Sequence, residues 1–156
     1  MKILVVYFSR TGNTRKVATR IAESLQADIE EIKETQSRAG VAGYFGAGLA
    51  SLFRKTPRIE PHARKAADFD LTIIGTPVWA FTMAAPVRTY LEQNAGAFSK
   101  VAFFCTMGGS GASRTFQHMQ EILGTVPEAT LSLNERQLKG NDLQDLIREF
   151  TEKMRA

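Results

Sequence analysis

The chain reads as an α/β protein, a parallel sheet covered by helices on both faces, and three observations predict this. Residues 3–8, 71–74 and 101–105 are apolar throughout, as expected of strands buried on both sides. Stretches with apolar residues at helical spacing alternate with them, the pattern of βαβ units. Each of the three runs gives way to a loop built from Gly, Ser, Thr or aromatic residues, which is where such sheets place their ligands.

Taken in order, residues 3–8 are β-branched and aromatic and form the first strand. Over 13–26, Val17, Ile21 and Leu25 recur every four residues among Arg15, Lys16, Arg20 and Glu23, an amphipathic helix. Residues 28–33 alternate Ile29 and Ile32 with acids, a strand nearer an edge. A connection of about thirty residues, 35–67, follows, longer than such crossovers need. Within it, 44–53 could form a short helix with an apolar face. Residues 69–75 hold the second central strand, ending at Gly75. Pro86 opens a helix over 86–93 that carries Val87, Tyr90 and Leu91. The strand at 101–105 runs into a Gly/Ser loop, and 113–123 is helical by pattern. Residues 130–133 alternate as a strand, and 141–154 form a long helix with Leu143, Leu146, Ile147 and Phe150 on one face.

The length, 156 residues, predicts one domain over 1–156, and 44% hydrophobic with 23% charged content is ordinary for a soluble globular chain. No apolar run reaches a membrane span. The apolar start is short and meets polar Ser9 without a cleavage site, so it reads as a mature strand rather than a signal peptide, with a cytoplasmic location expected. Cys105 is the only cysteine, which excludes an intramolecular disulfide. His62 and His118 are far apart and are read as surface residues, so no metal site is expected. Between residues 36 and 65, Arg38, Arg54, Lys55, Arg58, Arg64 and Lys65 stand against Glu60 alone, a net +5 in a chain of net +4. That stretch is either a patch for an anionic partner or a solvated loop. No nucleic-acid motif accompanies it.

The loop Ser9-Arg10-Thr11-Gly12-Asn13-Thr14 joins a buried strand to a helix. Such a junction points free backbone N–H groups and the positive helix end at whatever lies there. Gly12 permits a tight turn and Ser9, Thr11 and Thr14 offer hydroxyls, so the loop is read as a phosphate cradle. A helix cap would need only one such residue, whereas five of these six are Ser, Thr, Gly or Asn. The P-loop pattern lacks its Lys, and the dinucleotide fingerprint lacks two of its glycines.

These residues resemble the flavodoxin family, whose phosphate loop reads Ser/Thr-x-Thr-Gly-x-Thr directly after the first strand. Residues 9–14 match every fixed position. Residues 73–79 are similar to the family's second flavin loop, and 107–111 occupy the place of its third, so the resemblance spans essentially the whole chain. It implies a flavodoxin-like sandwich with five parallel strands in order 2-1-3-4-5, in the short-chain form because the strand near 129–134 carries no long insertion. It also implies FMN as cofactor. Residues 9–14 would hold its phosphate. Thr76, Pro77, Val78, Trp79, Ala80 and Phe81 would border its ring and ribityl chain, and Thr106, Met107, Gly108, Gly109, Ser110 and Gly111 its other side. Trp79 would stack on the ring or pack beneath the loop. Cys105 is expected to be an inert buried thiol.

The resemblance implies an electron carrier that cycles FMN for a redox partner protein. The alternative is an NAD(P)H-dependent FMN or quinone reductase acting on a small acceptor, with Tyr44, Phe45, Phe53 and nearby basic residues as a lid. A non-catalytic flavin-binding regulatory module is the third reading. The sequence departs from acidic flavodoxins, because its second and third loops contain no Asp or Glu. Positive charge near the ring would favour the reduced flavin. No residue is assigned as acid, base or nucleophile, and neither a nucleic-acid nor a membrane partner is expected.

Overall fold

The computed structural model describes residues 1–35 and 57–155. β1 (Ile3–Tyr7) leads into α1 (Asn13–Leu25) and β2 (Asp28–Glu31). After a short 3-10 turn at Ala66–Asp68 come β3 (Leu71–Trp79), β4 (Thr82–Met83) and α2 (Ala85–Asn94). The chain continues through β5 (Lys100–Met107), α3 (Ala112–Leu123), β6 (Thr130–Asn134), α4 (Glu135–Lys139) and α5 (Leu143–Arg155). Among the described residues the parallel sheet runs β2-β1-β3-β5-β6, with β4 paired antiparallel to β3. Counting only the parallel strands, this is the expected 2-1-3-4-5, to which the structure adds the short arm β4.

The twofold alternation of strand side chains divides the core between the two faces. Ile3, Val5 and Tyr7 of β1 join Leu71, Ile73, Ala102 and Phe104 beneath α1 and α5, where Val17, Ile21, Ile147 and Phe150 cover them. Leu4, Val6 and Phe8 point the other way, with Ile74 and Phe103, against Val87, Tyr90 and Leu91 of α2 and Met119 of α3. Both faces of β1 are therefore closed, which is why its sequence shows no polar alternation.

Three departures from the sequence reading concern the site. β3 does not end at Gly75 but continues through Thr76, Pro77 and Val78 to Trp79, Pro77 lying opposite Thr106 in register. Proline cannot donate to a ladder, and Thr76 supplies local bonds in its place. Its hydroxyl donates to the Pro77 carbonyl at 2.8 Å and accepts the Ala84 N–H at 2.9 Å. The strand then reverses over Ala80 and Phe81 into β4. β5 likewise extends through Thr106 and Met107, which the sequence reading placed in the loop. α4 is a short helix over residues for which the sequence reading named no element. It is nucleated by a capping box, in which the Asn134 side chain accepts the Gln137 N–H and the Gln137 side chain accepts the Asn134 N–H, each at 2.9 Å.

The returning end of the long connection docks on β2. Glu34 bridges Ile59 antiparallel, and Glu30 Oε1 accepts the N–H groups of Ala63 at 3.0 Å and Arg64 at 2.9 Å. Arg64 also faces Glu30 at 3.6 Å and Asp28 at 3.8 Å, so this member of the basic stretch is partnered within the chain. Arg38, Arg54, Lys55 and the lid residues Tyr44, Phe45 and Phe53 lie outside the described residues, as does the short helix expected at 44–53.

Candidate functional site

The carboxyl ends of β1, β3 and β5 bring the three predicted loops to one edge of the sheet. The first begins at Phe8, whose N–H donates to the Gly75 carbonyl at 3.2 Å and so ties it to β3. Ser9 Oγ accepts the Gly12 N–H at 3.1 Å, curling the loop. Gly12 adopts φ +102°, a left-handed conformation that side chains resist, and open space surrounds the position a Cβ would take. Its carbonyl accepts the Lys16 N–H at 3.0 Å, which starts α1.

No side chain caps this helix, and no acidic residue lies in its first turn. An N-terminus with a glycine cap, unscreened amides and no carboxylate suits an anion, so the residues present fit the phosphate of FMN. Ser9 and Arg10 are half-buried, and Thr11 and Asn13 are exposed. Thr14 is buried, with its hydroxyl 2.8 Å from that of Thr106 on β5.

Arg15, one residue beyond the loop, is held toward β2. Its guanidinium reaches Glu31 at 2.7 Å and 2.9 Å, and its Nε donates to the Tyr7 hydroxyl at 3.4 Å. The hydrogen bonds to Glu31 and Tyr7 raise its pKa above the ordinary arginine value.

Along the second segment, Thr76 is fully buried, Pro77, Val78 and Trp79 are half-buried, and Ala80 and Phe81 are exposed. The Trp79 ring meets Phe8 edge-on, with centroids 5.3 Å apart and planes at 88°. The indole therefore braces the start of the first loop, an arrangement the sequence reading did not specify. Ala80 at φ 49° and Phe81 at φ 64° form a two-residue turn with both φ positive. Hairpins fill such positions with Asn or Gly, so the Phe81 conformation is strained, and the residue remains 58% exposed.

In the third segment Met107 is half-buried and Gly108, Gly109 and Ser110 are exposed. A Cβ at Gly111 would fall 2.8 Å from Val78 Cγ1 and 3.4 Å from Phe81 Cα, so the second and third loops are in direct contact. Cys105, just before this loop, is fully buried, and burial pushes its thiol up to about 12. It is a neutral packing group at physiological pH.

One constellation escaped the sequence reading. Arg88 on α2 is 4% exposed and donates to Thr82 Oγ1 at 3.3 Å, and the same hydroxyl lies 2.7 Å from His118 Nδ1 on α3. His118 was read as a surface residue, but it is half-buried and helps anchor the arm that follows Phe81. His62 is half-buried too, its ring edge-on to Tyr90 at 5.4 Å. A signal existed at Arg88, which interrupts a helix whose residues are otherwise apolar or small from Ala85 to Val87 and at Tyr90 and Leu91.

The flavodoxin family model matches residues 2–154. A flavoprotein of Lactobacillus acidophilus NCFM, solved in complex with FMN, superposes with a TM-score of 0.73 at 24% identity, covering 88% of this chain and 95% of that one. The flavodoxin of Streptococcus pneumoniae TIGR4 gives 0.64 at 13% identity, covering 99% and 98%. An NAD(P)H dehydrogenase (quinone) of Bradyrhizobium sp. (strain ORS 278) is 28% identical over 123 residues, 75% of this chain. The match covers 58% of that relative, so the chain spans less than two thirds of its length. With a family model spanning nearly the whole chain, a sheet in the family's strand order and a first loop suited to phosphate, this chain belongs to the flavodoxin family, whose cofactor is FMN.

Proposed function

We propose that this chain is an FMN-dependent electron carrier, with residues 9–14 holding the phosphate and residues 76–81 and 106–111 bordering the ring. The observation that carries the reading is the uncapped, acid-free N-terminus of α1 behind Gly12, at the sheet edge shared with the other two loops. When bound, FMN supplies reversible one- and two-electron chemistry, and the protein's part is binding, orientation and electrostatics. The backbone amides of the first turn and the hydroxyls of Ser9 and Thr11 orient the phosphate. Trp79, braced on Phe8, and the exposed amides of Gly108 and Gly109 shape the ring's surroundings and exclude water. The lack of carboxylates in both ring loops favours added negative charge there.

A second reading, an NAD(P)H-dependent reductase of quinones or other small acceptors, is favoured by the strained, exposed Phe81 at an uncharged rim. The activity named for the Bradyrhizobium relative points the same way. Purified protein mixed with FMN should quench flavin fluorescence in a saturable, stoichiometric manner and release FMN on denaturation. A protein that leaves FMN fluorescence unchanged at high concentration overturns both readings. Steady NAD(P)H oxidation in the presence of quinone would replace the carrier with the reductase.

A further inference from the structure

We infer that Thr106, a residue on the ring-side strand β5, is a positioning residue for the phosphate end of the site, acting through Thr14. This rests on the reading that residues 9–14 hold a phosphate. The two hydroxyls come from positions 92 residues apart, lie 2.8 Å from each other, and belong to residues 2% and 4% exposed. Each hydroxyl carries one proton and can accept from two directions. Their mutual bond uses one of the two protons, and the other belongs to whichever oxygen accepts.

The backbone decides the more favourable arrangement. Thr106 is locked in register between Pro77 of β3 and Leu133 of β6, next to the last residue of β5. Thr14 is the second residue of α1, next to the amides that face an anion. With Thr106 donating to Thr14, the Thr14 proton is free to point at the helix N-terminus. An oxygen that accepts one hydrogen bond donates a stronger one, so the Thr106 hydroxyl both sets the Thr14 rotamer and strengthens its donation. The reverse order would spend the Thr14 proton on Thr106 and leave Thr14 none for the anion. The bond thus couples the strand that carries the third flavin loop to the phosphate cradle.

The test measures Kd for FMN and for riboflavin, which lacks the phosphate, in wild type, Thr106→Val, Thr106→Ser, Thr14→Val and the double valine variant. Thr106→Val should weaken FMN binding about tenfold, the order expected for losing one strong hydrogen bond. It should weaken riboflavin binding several-fold less than FMN binding, while Thr106→Ser retains wild-type affinity for both. The double variant should bind FMN no more weakly than Thr14→Val alone, because the two hydroxyls act in series. Unchanged FMN affinity in Thr106→Val, equal losses for FMN and riboflavin, or additive losses in the double variant would each overturn the inference. If the valine variants do not fold, by circular dichroism, Thr106→Ala and Thr14→Ala are compared by the same measures. A wild-type protein that binds FMN no better than riboflavin would instead remove the phosphate reading itself.

Discussion

The ring of Phe104 lies over Gly75, its parallel neighbour in register across β3 and β5, so closely that a Cβ at Gly75 would fall 2.0 Å from Phe104 Cζ. The Phe104 ring is fully buried and cannot swing into solvent. Gly75→Ala should therefore destabilise the fold by about 2–3 kcal/mol, the upper range for overpacking a dense core. Urea unfolding would show a lower midpoint, and Phe104→Leu added to Gly75→Ala should recover part of the loss. A midpoint unchanged by Gly75→Ala would mean that β3 and β5 can separate without cost.

Alkaline pH should weaken the protein through two buried groups. Burial raises the Cys105 thiol from 9.0 to about 12, and burial, then the charge of Glu30, raises Tyr90 above its ordinary 10.0. Between about pH 9 and 12 the folded chain keeps protons that the unfolded chain releases, so stability falls as pH rises. Below pH 9 both groups are protonated in either state and contribute no slope. Each group adds up to about 1.4 kcal/mol per pH unit within its window. Cys105→Ala should flatten the fall between pH 9 and 10, before Tyr90 contributes, as read from urea midpoints along the pH series. Equal slopes in wild type and variant would refute it.

The three central strands were legible because burial on both faces leaves an unbroken apolar run, as at Val5, Ile73 and Phe103, and the outer strands β2 and β6 showed only through alternation of apolar with polar residues. The helices between them show the complementary single-sided stripe of Val17 and Ile21. The end of β3 was not legible. Gly75 and Pro77 are turn signals in any local reading, and only the Thr76 side-chain bonds and the pairing with β5 make that segment a strand. The candidate site was legible at Ser9–Arg10–Thr11–Gly12–Asn13–Thr14, where residue type and local backbone agree. It was not legible at Arg88, Thr82 and His118, because three separate elements bring those residues together and no sequence spacing encodes the meeting.

Phe81 offers a test of strain retained at the rim. Its φ of 64° follows the 49° of Ala80, in a turn whose geometry suits glycine. Phe81→Gly should raise stability by about 0.5–1 kcal/mol, a Tm gain of roughly 2 °C in a chain of this size. The contact of the ring edge with the backbone near Gly111 is small beside that relief, since the side chain is mostly exposed. A higher Tm together with lower electron-transfer rates to an acceptor would identify the strain as maintained for function. A lower Tm would show that the ring packs more strongly than its exposure suggests.

Charge at the first residue of α1 should move stability and cofactor affinity in opposite directions. Asn13 is exposed, makes no capping bond, and opens a helix whose first turn has no acid. A carboxylate there complements the helix dipole, so Asn13→Asp should stabilise the apoprotein by about 0.3–1 kcal/mol. The same carboxylate would face a bound phosphate across a few ångströms of partly excluded solvent, and at an effective dielectric near 20 this repulsion costs several kcal/mol before relaxation. FMN affinity should fall by about tenfold or more, while riboflavin, which carries no phosphate charge, should lose little. Raising the salt concentration should restore part of the FMN affinity, because the site opens to solvent at Thr11 and Asn13. A merely structural role for the loop predicts the opposite correlation, since a stabilised helix start would then bind its cofactor at least as well. Thermal melts of the apoprotein and fluorescence titrations with the two flavins separate these outcomes on one pair of proteins.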